Sequence, residues 1–69
     1  MLIAKTESDR VKLYDAKTGN LKLSLPVGGQ TAGTALVQGD TIVVPVRDGD
    51  KVRTRIYDAR TGNIKLNIP

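Results

Sequence analysis

The chain has 69 residues, of which 26% are charged, with eleven Lys and Arg against seven Asp and Glu and a formal net charge of +4. A chain of this length forms at most one domain, 1–69, and buries only about 60% of the surface that its unfolded form exposes. It contains no cysteine and no histidine, which excludes a disulfide framework and the common zinc sites. Oligomerisation is the remaining way to stabilise so small a domain.

Neither the net charge nor the N-terminal sequence identifies a partner or a cellular compartment. A basic balance favours a polyanionic partner, but the cations are spread along the chain and solubility explains them equally well. The first four residues are apolar, but Lys5 and Glu7 follow too soon for a signal-peptide core. No apolar run reaches membrane-spanning length. A cytoplasmic protein that does not enter the membrane is expected.

The pattern of residues predicts an all-β fold. Aliphatic and β-branched residues alternate with polar ones in short runs that Gly, Asn and Asp separate. No stretch predicts a helix, and compact polar turns join the runs, so an antiparallel meander of about seven strands is expected. The predicted strands are 1–6, 10–15, 20–25, 34–38, 41–47, 51–58 and 63–68.

Two six-residue segments predict the same turn. In residues 15–20 and 58–63 the leading Asp can accept backbone N–H bonds, and the Gly can supply a positive φ before a β-bulge. Asp15 and Asp58 could also serve acid chemistry or bind a metal ion. Neither segment offers a second ligand beside the Asp, so the turn role is favoured.

The strands differ in how many apolar faces they carry. Residues 21–25 and 64–68 alternate apolar with polar side chains, which predicts one buried face in each. Residues 41–46 are apolar on both faces, so that strand is predicted to be covered on both sides. Pro45 within it indicates a bulge or a sheet edge, because proline cannot donate to the ladder.

The segment between these regions is rich in glycine. Residues 27–34 contain three glycines, and such a loop can bind phosphate through its backbone N–H groups. No Lys-Ser or Lys-Thr pair follows and no helix begins there, so a phosphate loop is disfavoured. A flexible connection is expected.

The chain contains an internal repeat. Residues 10–26 return as residues 53–69, where ten of the 17 aligned positions are identical and five others exchange Lys for Arg or Leu for Ile. Charge sign and apolar pattern are kept, as a repeated structural unit requires. The sequence predicts a first, incomplete repeat over 1–26, a linker over 27–33 and a second repeat over 34–69.

The repeat resembles a known blade motif. Its period is 43 residues, with four short strands in the complete unit. Residues 56–63 and 13–20 resemble the third-strand, turn and fourth-strand segment of quinoprotein-like (PQQ-type) β-propeller repeats. They also resemble the related sequence motif of WD-like repeats. Counted over both 17-residue copies, the resemblance covers about 34 of the 69 residues, and it implies blade architecture. No cofactor-binding residue of the family has a match here, so no cofactor is implied.

The strand count leaves three architectures open. The first copy begins at its second strand, so one and three-quarter blades cannot close a ring. Several chains could assemble into a ring, or the chain could be a fragment of a longer propeller. The strands could also fold on themselves as a small closed barrel or sandwich. Closure matters, because unpaired strand edges and uncovered sheet faces invite association.

Strand alternation places cations around each tyrosine. The predicted sets are candidates for binding a polyanion, because Arg and Lys contact phosphates and Tyr can stack on a base. A solvated face that keeps an outer strand soluble is the simpler interpretation. The first set is Arg10, Lys12, Tyr14 and Lys22, and the second is Arg53, Arg55, Tyr57 and Lys65.

No residue pattern predicts catalysis or a metal site. There is no His or Cys nucleophile or base, and no carboxylate pair lies on an apolar background that would shift its pKa. Asp48 and Asp50, like Glu7 and Asp9, lie in turns and offer too few oxygens for calcium. No enzymatic activity, metal ion or cofactor is expected.

The leading functional hypothesis is a non-enzymatic structural or interaction module. It would self-associate as a homo-oligomer to complete a β-propeller-like assembly, with a protein partner possible. The alternative is a small basic β-protein that binds nucleic acid through the two predicted sets. A third interpretation, a piece of a larger cofactor-binding propeller, predicts that the isolated chain aggregates.

Overall fold

The computed structural model describes all 69 residues as eight antiparallel strands in two sheets. The first sheet consists of β1 (Leu2–Thr6), β2 (Arg10–Asp15) and β3 (Leu21–Pro26), in that spatial order. The second sheet has five strands: β4 (Gln30–Thr31), β5 (Leu36–Gln38), β6 (Thr41–Asp48), β7 (Lys51–Asp58) and β8 (Ile64–Ile68). The all-β prediction is confirmed. No helix of the kind that could cross a membrane is present.

The second sheet is not a simple meander. Strands β6, β7 and β8 follow one another as neighbours, but both β4 and β5 pair with the other side of β6. Strand β4 is the eighth strand, which the sequence did not predict because it lies in the glycine-rich connection. It forms because Thr31 makes two hydrogen bonds to the turn between β1 and β2. Its N–H donates to Ser8 O and its Oγ1 donates to Glu7 O, both at 2.8 Å.

Glycine is required where this short strand approaches β6. A Cβ added at Gly29 would lie 2.7 Å from the backbone oxygen of Arg47, which no side chain tolerates. Gly28, with φ at 72°, takes the left-handed conformation that turns the chain into β4. Val27, just before them, is buried. The segment that was expected to be a flexible connection therefore packs against the sheet.

The two sheets pack face to face around a thin core. Ten of the 69 residues are buried, and they form one cluster to which both sheets contribute. We call the side of each sheet that faces this core its inner face, and the opposite side its outer face. The strand residues of the core are Val11, Leu13 and Leu25 from the first sheet and Ile42, Val44, Val46 and Tyr57 from the second.

Pro45 lies inside the second sheet, on β6, without costing it a hydrogen bond. It pairs with Thr54 of β7, and its carbonyl accepts the Ala32 N–H on the other side (2.8 Å). The N and O of one strand residue point to the same side, so the proline nitrogen faces β4 and β5. Strand β5 pairs only as far as Val43 and β4 begins to pair at Val46. The missing N–H therefore falls in the gap between two short strands.

The two Asp turns form as predicted. The Lys17 N–H donates to Asp15 Oδ1 in the first turn, and the Arg60 N–H donates to Asp58 Oδ1 in the second, both at 2.8 Å. The turn glycines have φ values of 77° and 81°. The ladder beside each turn has a β-bulge just before the tyrosine, where Lys22 in the first sheet and Lys65 in the second are the extra residues of the partner strand. Short-range chemistry thus gives both copies the same local structure.

Candidate interaction surfaces

The two copies bury opposite faces of the same hairpin. In the first sheet Val11 and Leu13 are completely buried, so the alternate residues of β2 lie on the outer face. In the second sheet Tyr57 lies directly opposite Ile42, which is completely buried. Directly opposed strand residues share a face, so the tyrosine side of β7 is the inner face. Positions 43 residues apart in the sequence thus point towards the core in one copy and away from it in the other.

The second predicted set of cations therefore faces the interior. Tyr57 is 6% exposed and cannot stack on a base. The Arg55 guanidinium donates to the backbone oxygen of Val27, which belongs to the chain leaving the first sheet. Arg53 Nε is buried without a hydrogen bond and lies 3.9 Å from an Asp48 carboxylate oxygen. These positions correct the expectation of a second solvated face.

Lys65, the last member of that set, lies apart from the arginines. Its Nζ is 3.4 Å from Thr41 Oγ1, on the neighbouring end of the second sheet. The structure thus does not bring the four residues of the second set into one accessible surface.

Three of the four residues of the first predicted set share an accessible surface, and the fourth, Lys22, does not. Arg10, Lys12 and Tyr14 share the outer face of the first sheet, where Tyr14 lies between Ile3 of β1 and Leu21 of β3. Ile3 and Leu21 are 54% and 53% exposed. We call this surface the basic face; it comprises Ile3, Lys5, Arg10, Lys12, Tyr14 and Leu21.

All three cations of the first set have a carboxylate partner. Arg10 lies 3.5 Å from Asp9, and Lys12 lies 3.4 Å from Glu7. Lys22 is drawn towards Asp15, at 3.9 Å, at the end of the sheet. Each carboxylate reduces the potential that a phosphate would meet, although screened pairs of this kind contribute little to stability.

The outer face of the five-stranded sheet is a second accessible surface, which the residue pattern did not identify as a candidate site. One row of directly paired apolar residues crosses four strands there: Leu36, Val43, Ile56 and Leu66. Ile68 and Val52 extend it along the neighbouring strands. We call this surface the open face; it comprises Leu36, Val43, Val52, Ile56, Leu66 and Ile68.

The open face leaves large apolar side chains in solvent. Leu36, Val52, Leu66 and Ile68 are between 46% and 65% exposed. The prediction that β8 has one buried face is therefore wrong for this chain, since all five of its residues are exposed. The prediction that residues 41–46 are covered on both sides holds for one side only, because Val43 is half-buried. The alternation predicts an apolar face correctly, but it cannot say whether anything covers it.

The carboxylates act within turns. The pKa of Asp15 is lowered mainly by the backbone N–H of Lys17, and that of Asp58 mainly by the backbone N–H of Arg60 and then by its guanidinium. The pKa of Arg60 is raised in return. No group of three or more acidic residues lies close enough to hold a metal ion.

One pocket, of about 430 Å³, opens at the end of the first sheet. Its polar groups already have partners: Lys22 lies by Asp15, and Arg60 contacts both Asp58 and Asp40. Its remaining lining is Met1, Leu2, Leu23 and Ala59. The charged side chains of the pocket thus already form ion pairs.

Comparison with protein-family models, with curated proteins and with solved structures gives no match for this chain. The basic face and the open face are therefore the features of this chain from which a function can be inferred.

Proposed function

We propose that this protein is a non-enzymatic structural module that self-associates through its open face, as part of a β-propeller-like assembly. The observation that carries the proposal is the row Leu36, Val43, Ile56 and Leu66, which crosses the outer face of the second sheet. Its two ends, Leu36 and Leu66, are more than half exposed. Contiguous exposed apolar patches on small proteins mark interaction sites. Covering this one removes apolar surface from water, which favours association in proportion to the area buried.

The thin core supports the same proposal. Only ten residues are buried, and there is no disulfide to compensate. Small domains of this kind are commonly stabilised by oligomerisation. A propeller-like arrangement is favoured over a closed sandwich because the second sheet has a covered inner face and an uncovered apolar outer face, as a blade does when its neighbour is absent.

The experiment is the solution mass by light scattering over a wide concentration range. We expect a discrete oligomer whose mass falls on dilution, and a Leu66→Asp variant that is monomeric at the same concentrations. Ile64→Asp is the matched control, because Ile64 lies on the same strand with nearly the same exposure, 52% against 56%, but opposite Tyr57 on the inner side. An unchanged chain that is monomeric at all concentrations would overturn the proposal.

A second candidate is binding of a nucleic acid by the basic face. It is supported by the placement of Arg10, Lys12 and Tyr14 on one accessible face and by the net charge of +4. The test is titration with a single-stranded oligonucleotide at low salt, with Tyr14→Ala and Lys12→Ala variants. This candidate predicts binding that weakens as salt rises. The carboxylate partners of Arg10 and Lys12 make it the weaker candidate.

A further inference from the structure

The contact between the two sheets shows which surfaces of this chain fit each other. The first sheet contributes its inner row, Ala4, Leu13 and Leu23, which are directly paired across β1, β2 and β3. The second sheet contributes the inner row Ile42, Tyr57 and Ile64, paired in the same way across β6, β7 and β8. Both rows contribute to or pack against the single core cluster, apart from Ile64 at its edge. The aliphatic inner face of the first sheet and the tyrosine-bearing inner face of the second sheet therefore share one core.

Each of these rows has a counterpart on the outside of the molecule. Ile56 and Leu66 of the open face lie 43 residues after Leu13 and Leu23. They are paired with each other and with Val43, just as Leu13 and Leu23 are paired with each other and with Ala4. The open face is thus a second, uncovered copy of the aliphatic row.

The basic face is a second copy of the other row. Tyr14 lies between Ile3 and Leu21, as Tyr57 lies between Ile42 and Ile64. Both sheets have a β-bulge at the tyrosine, so the local backbone is alike. Arg10 and Lys12 stand where the second sheet has Arg53 and Arg55.

From these correspondences we infer that the open face of one chain docks on the basic face of a second copy of this chain, head to tail. The inference rests on the proposed self-association and adds its partner surface and its geometry. The contact uses a different face from each chain, so it is heterologous, and it generates a ring if the rotation closes or a filament if it does not.

Two of the three cations of the basic face, Arg10 and Lys12, are compatible with being covered. Inside the chain the same positions are already under the first sheet: Arg55 donates to a backbone oxygen of the facing segment, and Arg53 lies by Asp48. On the basic face Lys12 and Arg10 each have a carboxylate partner of their own, Glu7 and Asp9. Covering these two residues buries ion pairs. Lys5, the third cation of the face, lies opposite Lys12 and has no carboxylate partner. Its ammonium must therefore stay in solvent at the rim of the contact, because burying an unpaired charge is expensive.

The test uses two variants that each block one face. Ile3→Asp blocks the basic face and Leu66→Asp blocks the open face; both positions are more than half exposed, so both variants are expected to fold. We expect each variant alone to be monomeric by light scattering where the unchanged chain is oligomeric. Mixed in equal amounts they should form a dimer and nothing larger, because the mixture retains one complete interface.

The alternative outcomes separate the inference from the proposed function. If Ile3→Asp associates as the unchanged chain does, the open face docks on itself; the inference is then overturned while self-association stands. A mixture that stays monomeric overturns the inference in the same way. An unchanged chain that is monomeric overturns the proposed function and the inference together.

A second measurement covers the case in which an Asp variant does not fold. The chain contains no cysteine, so Ile3→Cys and Leu66→Cys variants each carry a single reactive thiol. A short bis-maleimide should cross-link the two variants with each other, and neither with itself. Head-to-tail docking is contradicted if Leu66→Cys cross-links efficiently with itself and no cross-link forms between the two variants.

Discussion

The two hairpins at residues 10–26 and 53–69 share most of their sequence and bury opposite faces. Leu13 is completely buried, and its counterpart Ile56 lies on an outer face. Tyr57 is buried, and its counterpart Tyr14 lies on an outer face. A face of a sheet is therefore not inner or outer by its residues alone. Its place in the stack of sheets decides which of two usable faces is covered.

The most severe test of this comparison exchanges the residues at which the two tyrosine-bearing faces differ. Val44 is completely buried opposite Arg55, and Lys5 occupies the corresponding place opposite Lys12. We expect Val44→Lys to abolish cooperative unfolding. A buried unpaired charge costs several kcal/mol, which is comparable to the whole free energy of unfolding of a small domain. Thermal circular dichroism measures this. A Val44→Lys chain with an unchanged transition would contradict the burial of this face.

The next test truncates matched aliphatic residues. Leu13→Ala should lower the free energy of unfolding by about 2–5 kcal/mol, since its site is completely enclosed. Ile56→Ala should lower it by less than half as much in the monomer, because the side chain keeps part of its contact with water. Urea denaturation at a concentration below association gives both values. Equal losses would mean that the two faces are equally covered.

A smaller effect is expected from Lys5→Val. This change removes a cation that lies directly opposite Lys12 and makes the basic face more like the inner face of the second sheet. We expect association to tighten by about tenfold, the equivalent of about 1.4 kcal/mol, with the oligomer still discrete by light scattering. The added Leu66→Asp change should abolish the gain. A gain that survives Leu66→Asp would indicate unspecific aggregation instead.

The smallest effect concerns the two Asp turns, which are alike in both copies. The folded-state pKa of Asp15 and that of Asp58 lie below 3.8 because backbone N–H groups stabilise the carboxylates. Their contribution to stability is therefore fully present above the unfolded pKa and is lost as the pH falls through the lower folded pKa. The melting temperature should fall as the pH is lowered below about 4. A chain with both Asp15→Asn and Asp58→Asn should show a shallower fall. An equally steep drop in that chain would place the pH dependence elsewhere.

The part of the fold that the sequence predicts is the part that neighbouring residues decide. The Asp turns depend on a carboxylate and a glycine within five residues, and both formed. Strand positions follow from alternation, and they agree with the structure to within one or two residues. Strand β4 was missed because its support comes from Ser8 and Glu7, more than twenty residues away.

The candidate site could be predicted only in part, for the same reason. Alternation placed Arg10, Lys12 and Tyr14 on one face, as the structure has them. It assigned the same exposure to Arg55 and Tyr57, because nearly identical segments give identical predictions. What separates the copies is the sheet packed on each, and no local pattern encodes that. The open face was hidden by the same symmetry, since its residues resemble the buried ones of the first sheet.

The most direct test of head-to-tail docking is a dilution series of the unchanged chain, monitored by the chemical shifts of its amide and methyl groups in NMR spectra. As the concentration rises, we predict shifts at Leu66 and Ile68 on the open face and, over the same range, at Ile3 and Tyr14 on the basic face. The signals of the buried Leu13 should not shift. Shifts confined to the open face, or no shifts at any concentration, would contradict the account.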